Sequence, residues 1–185
     1  TFVDKGWKGL FIEGDIKRFQ DLKKNYENEK NIICLNEFID KDKNNLDQIV
    51  EKGNIKEIDI LSIDIDGKDL PIWKTLNKIK PKVVVIEFNL SIPFDMDYED
   101  NVGGNGSSFL AINNFAKKKD YELIYVTATN LIFISKKFNN GEFEVWSETK
   151  IMENLKPLRL GFNNYGEMLF FLDKKLENRE VFRFP

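Results

Sequence analysis

The sequence predicts an α/β protein built on a mostly parallel sheet that ends in an antiparallel hairpin. Three observations carry this. Short apolar runs alternate with amphipathic stretches from Leu10 to Ser135, the pattern of successive βα units. One run, Val83–Phe88, is continuously apolar, as in strands that a parallel sheet covers on both faces. Tyr121–Thr127 and Leu131–Ser135 are separated by only Ala128–Asn130, a link that suits a hairpin.

The elements follow in order. Leu10–Ile12 is a short strand ending at Glu13-Gly14-Asp15. Ile16–Tyr26 is a helix, with Ile16, Phe19, Leu22 and Tyr26 at helical spacing and Asp15 as its N-cap. Ile32–Leu35 is a second strand, ending at Asn36. A polar loop over Lys41–Asn45 leads to a helix, Leu46–Lys52, that stops at Gly53. Ile58–Ile65 is the strongest strand, expected to be buried on both faces near its middle, and runs into Asp66-Gly67. The helix Leu70–Ile79 has Asp69 as candidate N-cap and Pro71 in its first turn, where the ring is tolerated.

After Val83–Phe88 the stretch Ser91–Ser108 is irregular, acidic and rich in Gly and Asn. A loop of this length inside a compact domain is functional or mobile as a rule. Phe109–Lys118 is a helix capped by Ser107 or Ser108, and the hairpin follows. Beyond it, Phe143–Trp146 and Met168–Leu172 are candidate strands and Glu148–Leu155 a candidate short helix.

Composition narrows the chemistry. The chain has 185 residues, Lys+Arg 28 against Asp+Glu 31 and a net charge of -3, so it offers no basic footprint for nucleic acid. No apolar stretch is long enough to span a bilayer, and no membrane partner is expected. Histidine is absent, which excludes a His general base, a Ser-His-Asp triad and every His-containing metal site. Cys34 is the single cysteine, which excludes internal disulfides and suits a reducing cytoplasm; on a strand interior it is read as a small core residue.

Carboxylates, amides, hydroxyls, Lys or a bound cofactor are left to do the work. Ligands of open parallel sheets sit at the carboxyl ends of the strands, and each such end here is polar: Glu13 and Asp15, Asn36, Asp64 and Asp66, Glu87 and Asn89. An acidic residue in the position of Glu13 accepts hydrogen bonds from ribose hydroxyls in nucleotide-binding sheets; the structural alternative is a charge favoured by the helix dipole. Asp64 and Asp66, two apart, point to the same side of an extended strand. Such a pair suits a divalent ion or the proton of a substrate hydroxyl; the alternative is that Asp66-Gly67 is a turn and Asp64 caps an amide. Glu87 needs a partner if buried, and Asn89 either orients it or ends the strand. Gly103, Gly104 and Gly106 make either an anion cradle or, the favoured reading, a flexible lid.

Four segments carry a resemblance: GWKGLFIEGD (Gly6–Asp15), IDILSIDIDGKDLPIWK (Ile58–Lys74), PKVVVIEFN (Pro81–Asn89) and GSSFLAINNFAKKKDYELIYVTATNLIFIS (Gly106–Ser135). In consistent order and spacing they resemble the FkbM-like, class I S-adenosylmethionine-dependent methyltransferases. The resemblance implies a Rossmann-like, seven-stranded sheet with the hairpin as its antiparallel end. It implies a methyltransferase core over residues 1–136 and an extension of open role over 137–185. It also implies S-adenosyl-L-methionine as cofactor, held by Glu13 at the ribose, Asn36 near the adenine, and Asp15 and Asp64 beside them. Asp64, Asp66, Glu87 and Asn89 would form the catalytic end, where Asp64 and Asp66 are also the candidate ligands of a divalent cation such as Mg. The expected acceptor is a hydroxyl of a sugar, glycan or small metabolite. Relatives carry a first strand and a glycine-rich turn ahead of the segment that starts here at Gly6. Nothing in Thr1–Lys5 replaces them, so the chain, which begins with Thr1 rather than Met, is expected to continue upstream; Met168–Leu172 is the one other segment able to fill the gap. Two other readings compete. ILSIDIDGKDL (Ile60–Leu70) also resembles the first motif of haloacid-dehalogenase-like phosphatases, and a non-catalytic, methyltransferase-like binding module fits the missing glycine turn.

Overall fold

The structure, a computed structural model, describes residues 1–147, 149–151, 158–162 and 168–172. Its first ten elements follow the predicted order: β1 (Gly9–Glu13), α1 (Ile16–Asn25), β2 (Ile32–Asn36), α2 (Leu46–Lys52), β3 (Ile60–Ile63), α3 (Asp69–Trp73), β4 (Val83–Glu87), α4 (Phe109–Lys118), β5 (Tyr121–Val126) and β6 (Asn130–Ser135). The chain forms two compact units, Thr1–Ile58 with Pro71–Lys80, and Asp59–Leu70 with the residues from Pro81 on.

In the first unit β1 and β2 pair in parallel, with Glu13 opposite Asn36 at their carboxyl ends. Asp15 Oδ1 accepts the amides of Lys17 and Arg18, so the expected cap starts α1. The apolar stripe of α1 is half-buried at Phe19, Leu22 and Tyr26, the last edge-on to Phe11, whereas Ile16 stays exposed. Cys34 is half-buried rather than a core residue, and its partial burial pushes the thiol pKa up. A capping box, Asn45 with Gln48, starts α2, whose Leu46, Ile49 and Val50 are buried.

Hydrogen bonds to α2 also explain why α3 is shorter than predicted. Thr75 Oγ1 donates to the Ile72 carbonyl and accepts the Leu46 amide, while Asp47 accepts the amides of Asn77 and Lys78. Asp47 thus takes amides that a continued helix would have used, Thr75 Oγ1 takes the Ile72 carbonyl, and α3 ends at Trp73.

In the second unit the order is β3-β4-β6-β5, with β3 and β4 parallel and β6 antiparallel to both neighbours. The hairpin is as predicted, with a register shift between Leu123 and Tyr125. The core takes Ile63, Val84, Ile86, Ile112, Leu131 and Phe133. Neither β3 nor β4 is covered on both faces: Val83 and Val85 are half-buried, and Ser62 in β3 is exposed. Ser108 caps α4 by accepting the Ala111 amide.

The α/β class holds, but a single, mostly parallel sheet does not form among the described residues. There are two parallel pairs and three antiparallel ones. Among the described residues β1 is bonded to β2 alone and β3 to β4 alone. Met168–Leu172 is a strand, β8, but it pairs antiparallel with β7 (Leu158–Phe162) and so does not fill the place of the first strand that relatives carry. Phe143–Trp146 is not a strand; it is joined to β5 by one bond, from the Trp146 amide to the Leu123 carbonyl. Of the short helix expected at Glu148–Leu155, residues 149–151 are helical and the others lie outside the described residues. Among the described residues no helix is long and apolar enough to cross a membrane.

Candidate active site

The carboxyl ends of the parallel strands carry the polar side chains in both units. At the end of β1, Glu13 Oε1 accepts the Asp15 amide at 2.8 Å. Asn36 Nδ2 donates to the carbonyls of Glu13 at 2.8 Å and Gly14 at 3.2 Å, which leaves its Oδ1 open as an acceptor. Asp15 acts as the helix cap described above. Beside them Phe38 is 80 % exposed, with its ring edge 3.0 Å from where a Cβ on Gly14 would stand. Sequence reasoning passed over Phe38; an aromatic residue two positions beyond a polar strand end was the available signal.

At the ends of β3 and β4 the predicted carboxylates converge. Asp64, Asp66 and Glu87 each place an oxygen within 4.8 Å of the others; the aspartates are exposed and Glu87 half-buried. The route differs from the one expected. β3 ends at Ile63, and Asp66 stands in the left-handed region at φ 55°, so a turn rather than strand alternation brings the pair together. Asp69 holds that turn. Buried to 1 % exposure, it accepts the Ile65 amide at 3.0 Å and the Gly67 amide at 3.1 Å. Burial raises its pKa against these hydrogen bonds, with Asp64 adding to the rise. Glu87 is raised as well, by burial first and then by Asp64, Asp69 and Asp66.

Asn89 serves the neighbouring loop. Its amide donates to the Ser107 carbonyl, its Nδ2 donates to the Asn105 carbonyl, and its Oδ1 accepts the amide and hydroxyl of Ser91. The loop from Ser91 to Ser108 is tied down rather than an untethered lid. Phe94 packs on Phe109 and Phe88. Tyr98 and Ser108 bond to each other twice, and Asp97 accepts from Asn114. Asp100, which sequence reasoning missed, collects the amides of Val102, Gly103, Asn105 and Gly106; an acidic residue just before a glycine-rich run was its only signal.

Such an arrangement can orient a hydroxyl, take its proton, or hold a cation with oxygen ligands. The methyltransferase FkbM domain model matches residues 10–123, more than half of the chain. That span includes Ile60–Leu70, the segment on which the phosphatase reading rested, and the chain passes there from Gly67 through Lys68 directly into α3. No curated protein and no solved structure matches. The match covers the strand-end residues of both units, and the chain belongs to the FkbM methyltransferase domain family.

Proposed function

We propose that this methyltransferase uses S-adenosyl-L-methionine and methylates a hydroxyl oxygen of a sugar, glycan or other small metabolite. The observation that carries the reading is the convergence of Asp64, Asp66 and Glu87 at the carboxyl ends of two paired parallel strands, the ligand position of open α/β sheets.

The residues at the ends of β1 and β2 suit the cofactor. Glu13 keeps Oε2 for a ribose hydroxyl, and Asn36 keeps Oδ1 for an exocyclic amine. The exposed Phe38 ring offers a flat apolar face to a purine. When bound, S-adenosylmethionine supplies a methyl group already activated on sulfur. Acceptor alignment then falls to the protein, and positioning supplies much of the rate. With no histidine in the chain, the acceptor proton goes to a carboxylate. Glu87 is assigned that role, because burial and three acidic neighbours raise its proton affinity. Asp64 and Asp66 orient the hydroxyl. The same three oxygens suit a divalent cation such as Mg, and the compartment assigned is the cytoplasm.

The test compares two variants. Glu13→Ala is expected to weaken binding of S-adenosylhomocysteine by about tenfold or more, a loss of one good hydrogen bond to a charged group. Asp64→Ala is expected mainly to lower transfer of labelled methyl from S-adenosylmethionine to sugar hydroxyls. Equal, negligible effects from both overturn the reading. In the same assay, loss of transfer on chelation and its return with Mg would assign the cation to the carboxylates; transfer that survives chelation would remove it.

A further inference from the structure

We propose, resting on the reading above, that Asp100 is a positioning residue for the carboxylate cluster: it folds residues 100–106 into a fixed plug that props the turn after β3 and Asn89, just beyond β4.

Asp100 is fully buried, and an isolated carboxylate there would be costly. Its charge is met by four backbone amides. Oδ1 accepts from Val102 at 3.0 Å and Gly103 at 2.7 Å; Oδ2 accepts from Asn105 at 2.8 Å and Gly106 at 2.9 Å. Its own amide donates to Ser107 Oγ at 3.1 Å. Only a carboxylate can do this. An asparagine offers one acceptor oxygen, and its NH2 group would face two further N–H donors. The loop therefore depends on the charge of Asp100 and not merely on its volume.

The plug it shapes touches both strand ends of the cluster. On one side lies the turn that carries Asp66. A Cβ on Gly67, itself at φ 134°, would stand 2.4 Å from the Gly104 amide nitrogen, so backbone rests on backbone with no room for a side chain. The stem of Lys68 lies along Gly103 in the same way. On the other side the Asn105 carbonyl accepts Asn89 Nδ2, the Ser107 carbonyl accepts the Asn89 amide, and Gly106 lies against the Asn89 Cβ. Asn89 is two residues beyond Glu87. Three carboxylates this close repel one another, and a backbone fixed at both strand ends holds them together without rearranging during reaction.

Amide NMR with hydrogen exchange on the full chain tests this. In the wild type the amides of Val102, Gly103, Asn105 and Gly106 are expected to be protected. In Asp100→Asn they should exchange about tenfold faster or more, and the signals of Asp66, Gly67 and Asn89 should move with them. Gly67→Ala, which pushes a methyl group into the plug from the opposite side, should move the same loop signals with Asp100 intact. It keeps the test alive if Asp100→Asn fails to fold. Retained protection in Asp100→Asn overturns the proposal. So does loss of protection while the signals of Asp66, Gly67 and Asn89 stay fixed, since that limits Asp100 to the loop alone. Titration of the wild type with S-adenosylhomocysteine separates the two claims. No binding would sink the cofactor reading and leave the amide results standing, whereas binding with unmoved Gly67 and Asn89 signals in the variant would sink the positioning role alone.

Discussion

Glu87 and Asp100 are carboxylates of the same unit whose surroundings push them in opposite directions. Burial and the nearby Asp64, Asp69 and Asp66 raise the pKa of Glu87. Burial also acts to raise Asp100, but the four amide bonds outweigh it and hold the pKa below the usual aspartate range. The linkage signs follow. A raised carboxylate opposes folding increasingly as pH climbs through its folded-state pKa, so ionised Glu87 is a cost near neutrality. A depressed one contributes stability above its ordinary range that is lost as pH falls through the folded value, so the support Asp100 gives the loop is lost below the usual aspartate range. Glu87→Gln is therefore expected to raise the melting temperature at pH 7 and to lose that advantage near pH 4. Thermal unfolding across this range checks it; a constant offset, or a destabilised variant at pH 7, would contradict the assignment. The carboxylates of the cluster were legible in the sequence because they stand at strand ends. Asp100 was not, because its importance comes from amides two to six residues away that only the folded loop turns inward.

At the scale of elements, the order of strands and helices from Leu10 to Ser135 was readable from alternation of apolar and amphipathic runs, and the caps at Asp15 and Ser108 from residue type. Lengths were less legible where distant side chains intervene. Asp47 and Thr75 end α3 early, and no local signal at Ile72–Ile79 announces it. The meeting of Asp64 and Asp66 was foreseen for the wrong reason, since extended geometry was assumed where Asp66 turns left-handed. The link between β5 and the chain entering β4 was also invisible. Tyr121 donates its hydroxyl to the Pro81 carbonyl at 2.6 Å, both residues being buried, and burial raises the phenol pKa. Tyr121→Phe leaves that carbonyl without the bond and is expected to cost about 1–2 kcal/mol. Denaturant unfolding measures this; a neutral result would mean another donor replaces the hydroxyl.

For the whole molecule, each of the two units contains one parallel strand pair, and each pair presents acidic and amide side chains at its carboxyl end. Composition alone limits the chemistry, through a small negative charge, the absence of histidine and a single cysteine. The antiparallel pairing of β7 with β8 was not legible, since its pattern lies outside the resemblance. The proposed function rests on the ends of β1 and β2 serving a methyl donor. Calorimetric titration of the full chain with S-adenosylhomocysteine tests that most directly. The expected result is a saturable, single-site heat that Glu13→Ala diminishes. Absence of heat together with no rise in melting temperature, in a chain that circular dichroism shows to be folded, would contradict it.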